Sequence, residues 1–142
     1  MRPYLYIAWN VRPGQTTLSD AAQRAALVAV LERACTEMGA VCVNVAALPD
    51  QVHLLMRMPP DHTVPWIAAR CKRRAQAGLA ERFAAVAAAV RREPLWTTGF
   101  HARVLAPEEL GAVDRYITNG IRWAALHVAD NRHPAPRKEP TR

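Results

Sequence analysis

Cysteine is scarce in this sequence. Cys35, Cys42 and Cys71 are an odd number and no CxxC pair occurs, so neither a disulfide framework nor a zinc knuckle is expected. Long apolar runs are missing too. The longest, Phe83 to Val90, has eight residues, whereas a membrane-spanning helix needs roughly 20. The opening stretch, MRPYLYIAWNVRPG, lacks the long apolar core and small-residue cleavage site of a signal peptide. A cytoplasmic protein with no membrane partner is the expectation. Internal repeats and long linkers are absent as well. A chain of 142 residues, 51% of them apolar, suits one domain with one core.

Negative charge is the remaining shortage. Twelve Asp and Glu stand against nineteen Lys and Arg, giving a net charge of +7 and a pI near 10.2. Seventeen of the nineteen cations are Arg, whose planar fork can bind two phosphate oxygens at once. An excess of this size points to a polyanion, most simply nucleic acid. The alternative is a solubility surface in a composition that also holds 27 alanines.

Tyr4 to Val11 is aromatic and β-branched enough for a first strand, closed by the turn RPGQT. Ser19 and Asp20 can cap a helix in which Leu27, Val28, Leu31 and Cys35 recur at helical spacing and Gly39 marks the end. Val41 to Leu48 and Val52 to Met58 read as two closely paired strands split by Pro49-Asp50. Thr63 and Pro65 start a second helix running to about Phe83; the Ala-rich stretch to Arg92 reads as more helix, and Pro94 breaks it. Phe100 to Leu105 alternates as a last strand. Pro107 opens a final helix to about Ala129, with Glu108 and Glu109 in its first turn, where the helix dipole favours acids. The order β-α-β-β-α-β-α predicts an α+β, ferredoxin-like split β-α-β fold: a four-stranded antiparallel sheet with helices on one face and an extra C-terminal helix. The Pro-rich basic tail, residues 131–142, is expected to be disordered.

Residues two apart on a strand face the same side. Gln51 and His53 therefore point together, away from Val52 and Leu54. Burying such a polar pair without partners would cost about 1–3 kcal/mol each, so they meet other polar groups or reach into a site. On the final helix, Tyr116, Gly120, Trp123 and His127 share one face. A phenol can act as a nucleophile; the plainer reading of Tyr116 is a core tyrosine with its hydroxyl at the rim.

The segment PDQVHLLM, residues 49–56, resembles the PDHVHLL segment of the single-tyrosine HUH transposases, the insertion-sequence-200/605-type enzymes and their REP-associated tyrosine transposase relatives. VPWIAARCKRR, residues 64–74, resembles the helix after that strand, with Lys72 at its basic position. PLWTTGFHARVL, residues 94–105, resembles the stretch leading into the last strand, and VDRYITNG, residues 113–120, resembles the final helix with Tyr116 at the catalytic position. The resemblance covers about residues 4 to 125. It implies a transposase-like domain over residues 1–130, a homodimer, binding of single-stranded or hairpin DNA, and tyrosine-mediated strand cleavage and rejoining in DNA transposition. It further implies Mg²⁺ or Mn²⁺ held by two strand histidines and a glutamine one turn beyond the tyrosine. Such an ion neutralises charge developing on the scissile phosphate, while the tyrosine stores the bond energy in a covalent link.

The chain departs from this pattern at two of the three ligand positions, which hold Gln51 and Gly120. His53 remains, with Gln51 and Asn119 as candidate oxygen ligands. Two readings follow: a transposase with an altered metal site, or a non-catalytic, domesticated hairpin binder. For DNA contact the candidates are Arg57 on the His53 face, the basic turn Arg70, Lys72, Arg73 and Arg74, and Arg122 on the final helix. Trp66 and Phe100 are candidates to stack on unpaired bases; Trp96 reads as core, and His62, His101 and His133 as ordinary surface or loop histidines. An RRM-like RNA module is disfavoured because Val52 to Met58 has no Phe or Tyr.

Overall fold

The computed structural model describes residues 2–126, with side chains as far as Asn119. The first strand, β1 (Tyr4–Asn10), buries five consecutive residues, Leu5 to Trp9, the mark of a central strand covered on both faces. Helix α1 (Ala21–Glu37) follows, capped by Asp20, whose carboxylate accepts from the Gln23 N–H at 3.0 Å. Strands β2 (Val41–Ala47) and β3 (Gln51–Arg57) pair antiparallel. Helix α2 (Val64–Arg82) starts on a Thr63 cap, with Oγ1 accepting from the Trp66 N–H at 3.3 Å.

Phe83 then adopts an extended conformation (φ −131°, ψ 116°) that ends α2 and starts α3 (Ala84–Arg92). The break lets Val86 reach the core, where it is 1% exposed. Strand β4 (His101–Leu105) leads through a 3-10 turn at Pro107–Glu109 into α4 (Leu110–Leu126). The turn is held by Glu109, whose Oε1 accepts from the Ala106 N–H at 2.9 Å. The expected tail, 131–142, and His127 lie outside the described residues.

The sheet order is β2-β3-β1-β4, antiparallel throughout, so the fold is the ferredoxin-like split β-α-β plan. Strand alternation sorts its side chains into two cores. Leu5, Ile7, Trp9, Val52, Leu54 and Met56 pack with Leu27, Leu31, Ile67, Cys71 and Leu79 of α1 and α2. Tyr6, Ala8, Ala46, Leu55 and Leu105 pack with Val113 and Ile117 of α4. Helices thus cover both faces, because the additional C-terminal helix lies on the side that the two crossover helices leave open.

Helices α1 and α2 approach closely at Gly78. A Cβ there would sit 2.7 Å from Val30 Cγ1, and Val30 is itself buried. Gly78→Ala is therefore expected to destabilise the protein. Overpacking costs about 1–3 kcal/mol, offset by up to about 1 kcal/mol of improved helix propensity. Thermal denaturation should show a Tm lowered by roughly 3–6 °C.

Candidate functional site

Gln51 and His53 of β3 point to the α4 face, as their alternation requires. His53 and His101 both lie opposite Ala8, one on each side of β1. Three neighbouring strands thereby place Tyr6, His53 and His101 on one surface, and α4 lays Tyr116 across it. Ring centroids lie 6.1 Å apart for His53 and Tyr116, 6.4 Å for Tyr6 and Tyr116, 5.9 Å for Tyr6 and His53 and 5.8 Å for Tyr6 and His101. The strand histidine and the helix tyrosine, more than 60 residues apart in sequence, meet within one chain.

The packing of α4 is fixed by more than apolar contact. Asn44 of β2 donates from Nδ2 to Asp114 Oδ1 at 2.6 Å and to Thr118 Oγ1 at 3.2 Å. These bonds set the rotation of α4 about its axis, and so the direction of Tyr116, which lies between the two partners in sequence and points to the other side of the helix. The Tyr116 hydroxyl oxygen is closed off from solvent.

His53, 3% exposed, has its Nδ1 2.8 Å from the Tyr6 hydroxyl. Tyr6 is 1% exposed, and His53 is its one hydrogen-bond partner among the described residues. Burial, with Tyr116 adding a smaller contribution, raises the Tyr6 phenol far above its ordinary range, so the proton stays on Tyr6. Tyr6 and His53 thereby satisfy each other's polar atoms within the buried layer, the donor and acceptor roles following the histidine tautomer. Gln51, 6% exposed, donates from Nε2 to Asn10 Oδ1 at 3.0 Å, while its Oε1 is buried without a hydrogen-bond partner.

These residues do not fit a hard divalent cation. Mg²⁺ and Mn²⁺ take oxygen ligands, carboxylates foremost, and a ligating imidazole nitrogen must be unprotonated. Here one amide oxygen, from Gln51, stands beside a histidine whose Nδ1 is taken up by the Tyr6 hydroxyl. Asn119 is exposed on α4, and Gly120 offers no side chain. Among the described residues no group of three or more His, Cys, Asp or Glu is arranged to hold a metal.

The basic candidates divide. Arg73 is exposed on α2. Arg70 lies over the Trp66 ring, 5.9 Å from its centroid, and His62 stacks on the same ring at 3.8 Å. Arg74 pairs with Glu37 of α1 at 2.9 Å. Lys72 is turned inward: Nζ donates to the Thr97 and Gly99 carbonyls at 2.9 and 2.8 Å, and burial lowers its pKa. Arg57 ends β3, half-buried, on the Tyr6 face. The side chain of Arg122 lies outside the described residues. Since α2 packs on the opposite face from α4, the basic turn and Tyr116 occupy different layers.

Two site residues escaped the sequence reading. Tyr6 read only as part of a strand. His101 read as an ordinary loop or surface histidine, whereas it opens β4 with Nε2 buried and without a hydrogen-bond partner among the described residues. Burial, then the nearby Arg103, lowers its pKa, which keeps the ring neutral at pH 7. The only available signal was strand parity, and that is informative only once β1 and β4 are known to be neighbours. Trp96 is core as expected, 6% exposed, and packs edge-on against Trp9.

Comparison with known proteins identifies the class. No curated protein sequence matches the chain. Among solved structures, a candidate transposase from Deinococcus radiodurans R1 is similar over 84% of this chain and 91% of its own, with 20% identity and a TM-score of 0.64. A REP-associated tyrosine transposase bound to a REP hairpin is similar over 86% of this chain and 69% of its own, with 13% identity and a TM-score of 0.62. Both likenesses carry the fold. Residues 5–120 match the model of the IS200-like transposase family, and the chain belongs to that family.

Lys72 and its neighbours define the wall beside the site. Leu95 N–H donates to Gln76 Oε1, Trp96 Nε1 donates to the Lys72 carbonyl, and Thr97 N–H donates to the Asn10 carbonyl. Replacing Lys72 by Met removes two charge-assisted bonds to segment 97–99. Hydrogen–deuterium exchange at the Thr97 amide should then quicken several-fold, reflecting a local loss of roughly 1–2 kcal/mol.

Proposed function

We propose that this IS200-like transposase relative binds hairpin DNA with single-stranded flanks and does so without metal-dependent strand cleavage. The observation that carries the reading is the state of the polar groups at the site. His53 Nδ1 is hydrogen-bonded to the Tyr6 hydroxyl, Gln51 stands where the family pattern has a histidine and bonds to Asn10, and the Tyr116 oxygen is shut away from solvent. A scissile phosphate has no open path to that oxygen while α4 is docked. DNA binding is supported by family membership, by the hairpin held by one structural neighbour, and by a net charge of +7 carried mostly by arginine. A homodimer and a cytoplasmic location accompany this reading; sedimentation velocity tests the first.

One observation favours the alternative, tyrosine-mediated cleavage assisted by Mg²⁺ or Mn²⁺. The two residues that such chemistry would use, His53 and Tyr116, are in ring contact. In that mechanism the phenol attacks phosphorus, the strand breaks to leave a free hydroxyl, and the protein retains a phosphotyrosine link.

A denaturing gel with labelled hairpin pools, run with Mn²⁺, Mg²⁺ or EDTA, separates the two. The expected outcome is non-covalent binding with no adduct in any lane, and Tyr116→Phe binding within about twofold of wild type. A metal-dependent adduct that disappears in Tyr116→Phe would establish the alternative. Affinity is also expected to fall by about tenfold or more between roughly 50 and 200 mM salt; a flat salt response measured by fluorescence anisotropy would count against DNA binding of either kind.

A further inference from the structure

The three cysteines come from three elements and gather on the α1 and α2 side of the sheet. Cys35 of α1 and Cys71 of α2 are fully buried in the main core. Cys42 of β2 packs against that core and is half-buried. All three are free thiols. A buried cysteine is ordinary as a small apolar residue. What sets this group apart is that two of the thiols, Cys35 and Cys42, are hydrogen-bonded to each other.

Two backbone features bring that pair together. Helix α1 ends in a Schellman turn: the Ala40 N–H donates to the Cys35 carbonyl at 2.8 Å and the Gly39 N–H to the Thr36 carbonyl at 3.1 Å, with Gly39 at φ +82°. The chain therefore reverses beside Cys35 and returns as β2. A β-bulge follows, because Cys42 pairs with Met56 while Asn44 pairs with Leu55, leaving Val43 as the extra residue. Without the bulge, Cys42 and Asn44 would share a face. With it, Cys42 turns to the α1 core and Asn44 to Asp114 of α4.

The two thiols are unequal. Their shared hydrogen bond, then burial, raises the Cys35 thiol far above its ordinary range, so Cys35 keeps its proton and donates it. The same bond lowers the Cys42 thiol, against the smaller opposing effects of burial and Glu32. Cys42 also lies on an edge strand, between the exposed Val41 and Val43. Burial pushes the Cys71 thiol up to about 12, which leaves it inert. A reachable sulfur with thiolate character, beside a second thiol that can resolve it, is the arrangement that responds to peroxide.

We propose that Cys42 is a site of oxidation by hydrogen peroxide and that Cys35 resolves the product to a reversible disulfide joining the end of α1 to the start of β2. The Cys42 thiolate attacks one peroxide oxygen; an S–O bond forms, the O–O bond breaks, and the departing hydroxide takes up the proton that Cys42 released. Sulfur loses an electron pair and the peroxide gains it. Cys35 Sγ then attacks Cys42 Sγ; the S–S bond forms, the S–O bond breaks, and the hydroxyl leaves with the Cys35 proton as water. Two thiols and one peroxide thus become one disulfide and two waters, and a thiol reductant reverses the change. The inference is independent of the DNA-binding reading.

The test uses the full chain, reduced, desalted, exposed to hydrogen peroxide, alkylated in urea and digested with trypsin without reductant. Cleavage after Arg33 and Arg57 leaves Cys35 and Cys42 in one peptide, residues 34–57, and Cys71 in another. The expected result is loss of both alkyl groups from peptide 34–57, with a mass two hydrogens below its thiol form, while Cys71 stays alkylated; dithiothreitol before alkylation restores both groups. Cys35→Ser should stop at a sulfenic acid on Cys42, captured by dimedone, and Cys42→Ser should leave Cys35 reduced at the same dose; circular dichroism checks that both variants fold, and the wild-type peptide map stands without them. Two alkylated cysteines in peptide 34–57 after peroxide would overturn the proposal. So would a link from that peptide to the Cys71 peptide or to a second copy of itself, or oxidation of Cys35 in Cys42→Ser.

Discussion

The candidate site depends on α4 lying across the second face of the sheet. Tyr6, Ala8, Ala46, Leu55 and Leu105 form an apolar surface there that the crossover helices cannot reach, and Val113 and Ile117 close it. Burial of this kind contributes about 25 cal/mol for each Å² of apolar surface removed from water, without specifying direction. Direction comes from Asn44, which bonds both Asp114 and Thr118. Together these fix where Tyr116 stands, and Tyr116 in turn forms the lid over Tyr6 and His53.

Under that lid, polar groups must find partners within the protein. Tyr6 and His53 satisfy each other. A histidine that ligates a metal through one ring nitrogen normally donates from the other to an oxygen acceptor. Here the partner is the buried phenol of Tyr6. The same contact that makes His53 a satisfied buried residue occupies one of its two ring nitrogens, and the other two pattern positions hold Gln51 and Gly120.

The cations of α2 separate in a similar way. Three consecutive basic residues point in three directions because each step along a helix turns by about 100°. Arg73 meets solvent, Arg74 meets Glu37, and Lys72 reaches under the sheet edge to hold segment 97–99. One cation thus holds the wall beside the site without facing a phosphate itself.

Much was legible in the residues alone. Element order, the strand faces and the capped starts of α1 and α2 follow from local rules: alternation, helical spacing and side chains that bond their own backbone. The segments around His53 and Tyr116 stood out through their resemblance to a transposase family, and Gln51 and His53 were bound to share a face because strand geometry has a period of two. The sequence could not show that Tyr6 and His101 join them, since each is an unremarkable member of its own strand. Their contact arises from the order β2-β3-β1-β4, which brings together segments separated by some 47 residues on each side. Nor could it show which cations remain available, because Lys72 and Arg74 are claimed by partners distant in the chain. Local patterning determined what the elements are and which way they face. Only tertiary packing, where burial forces each polar atom to find a partner or remain unsatisfied, decided how His53, Tyr116 and the wall beside them are arranged.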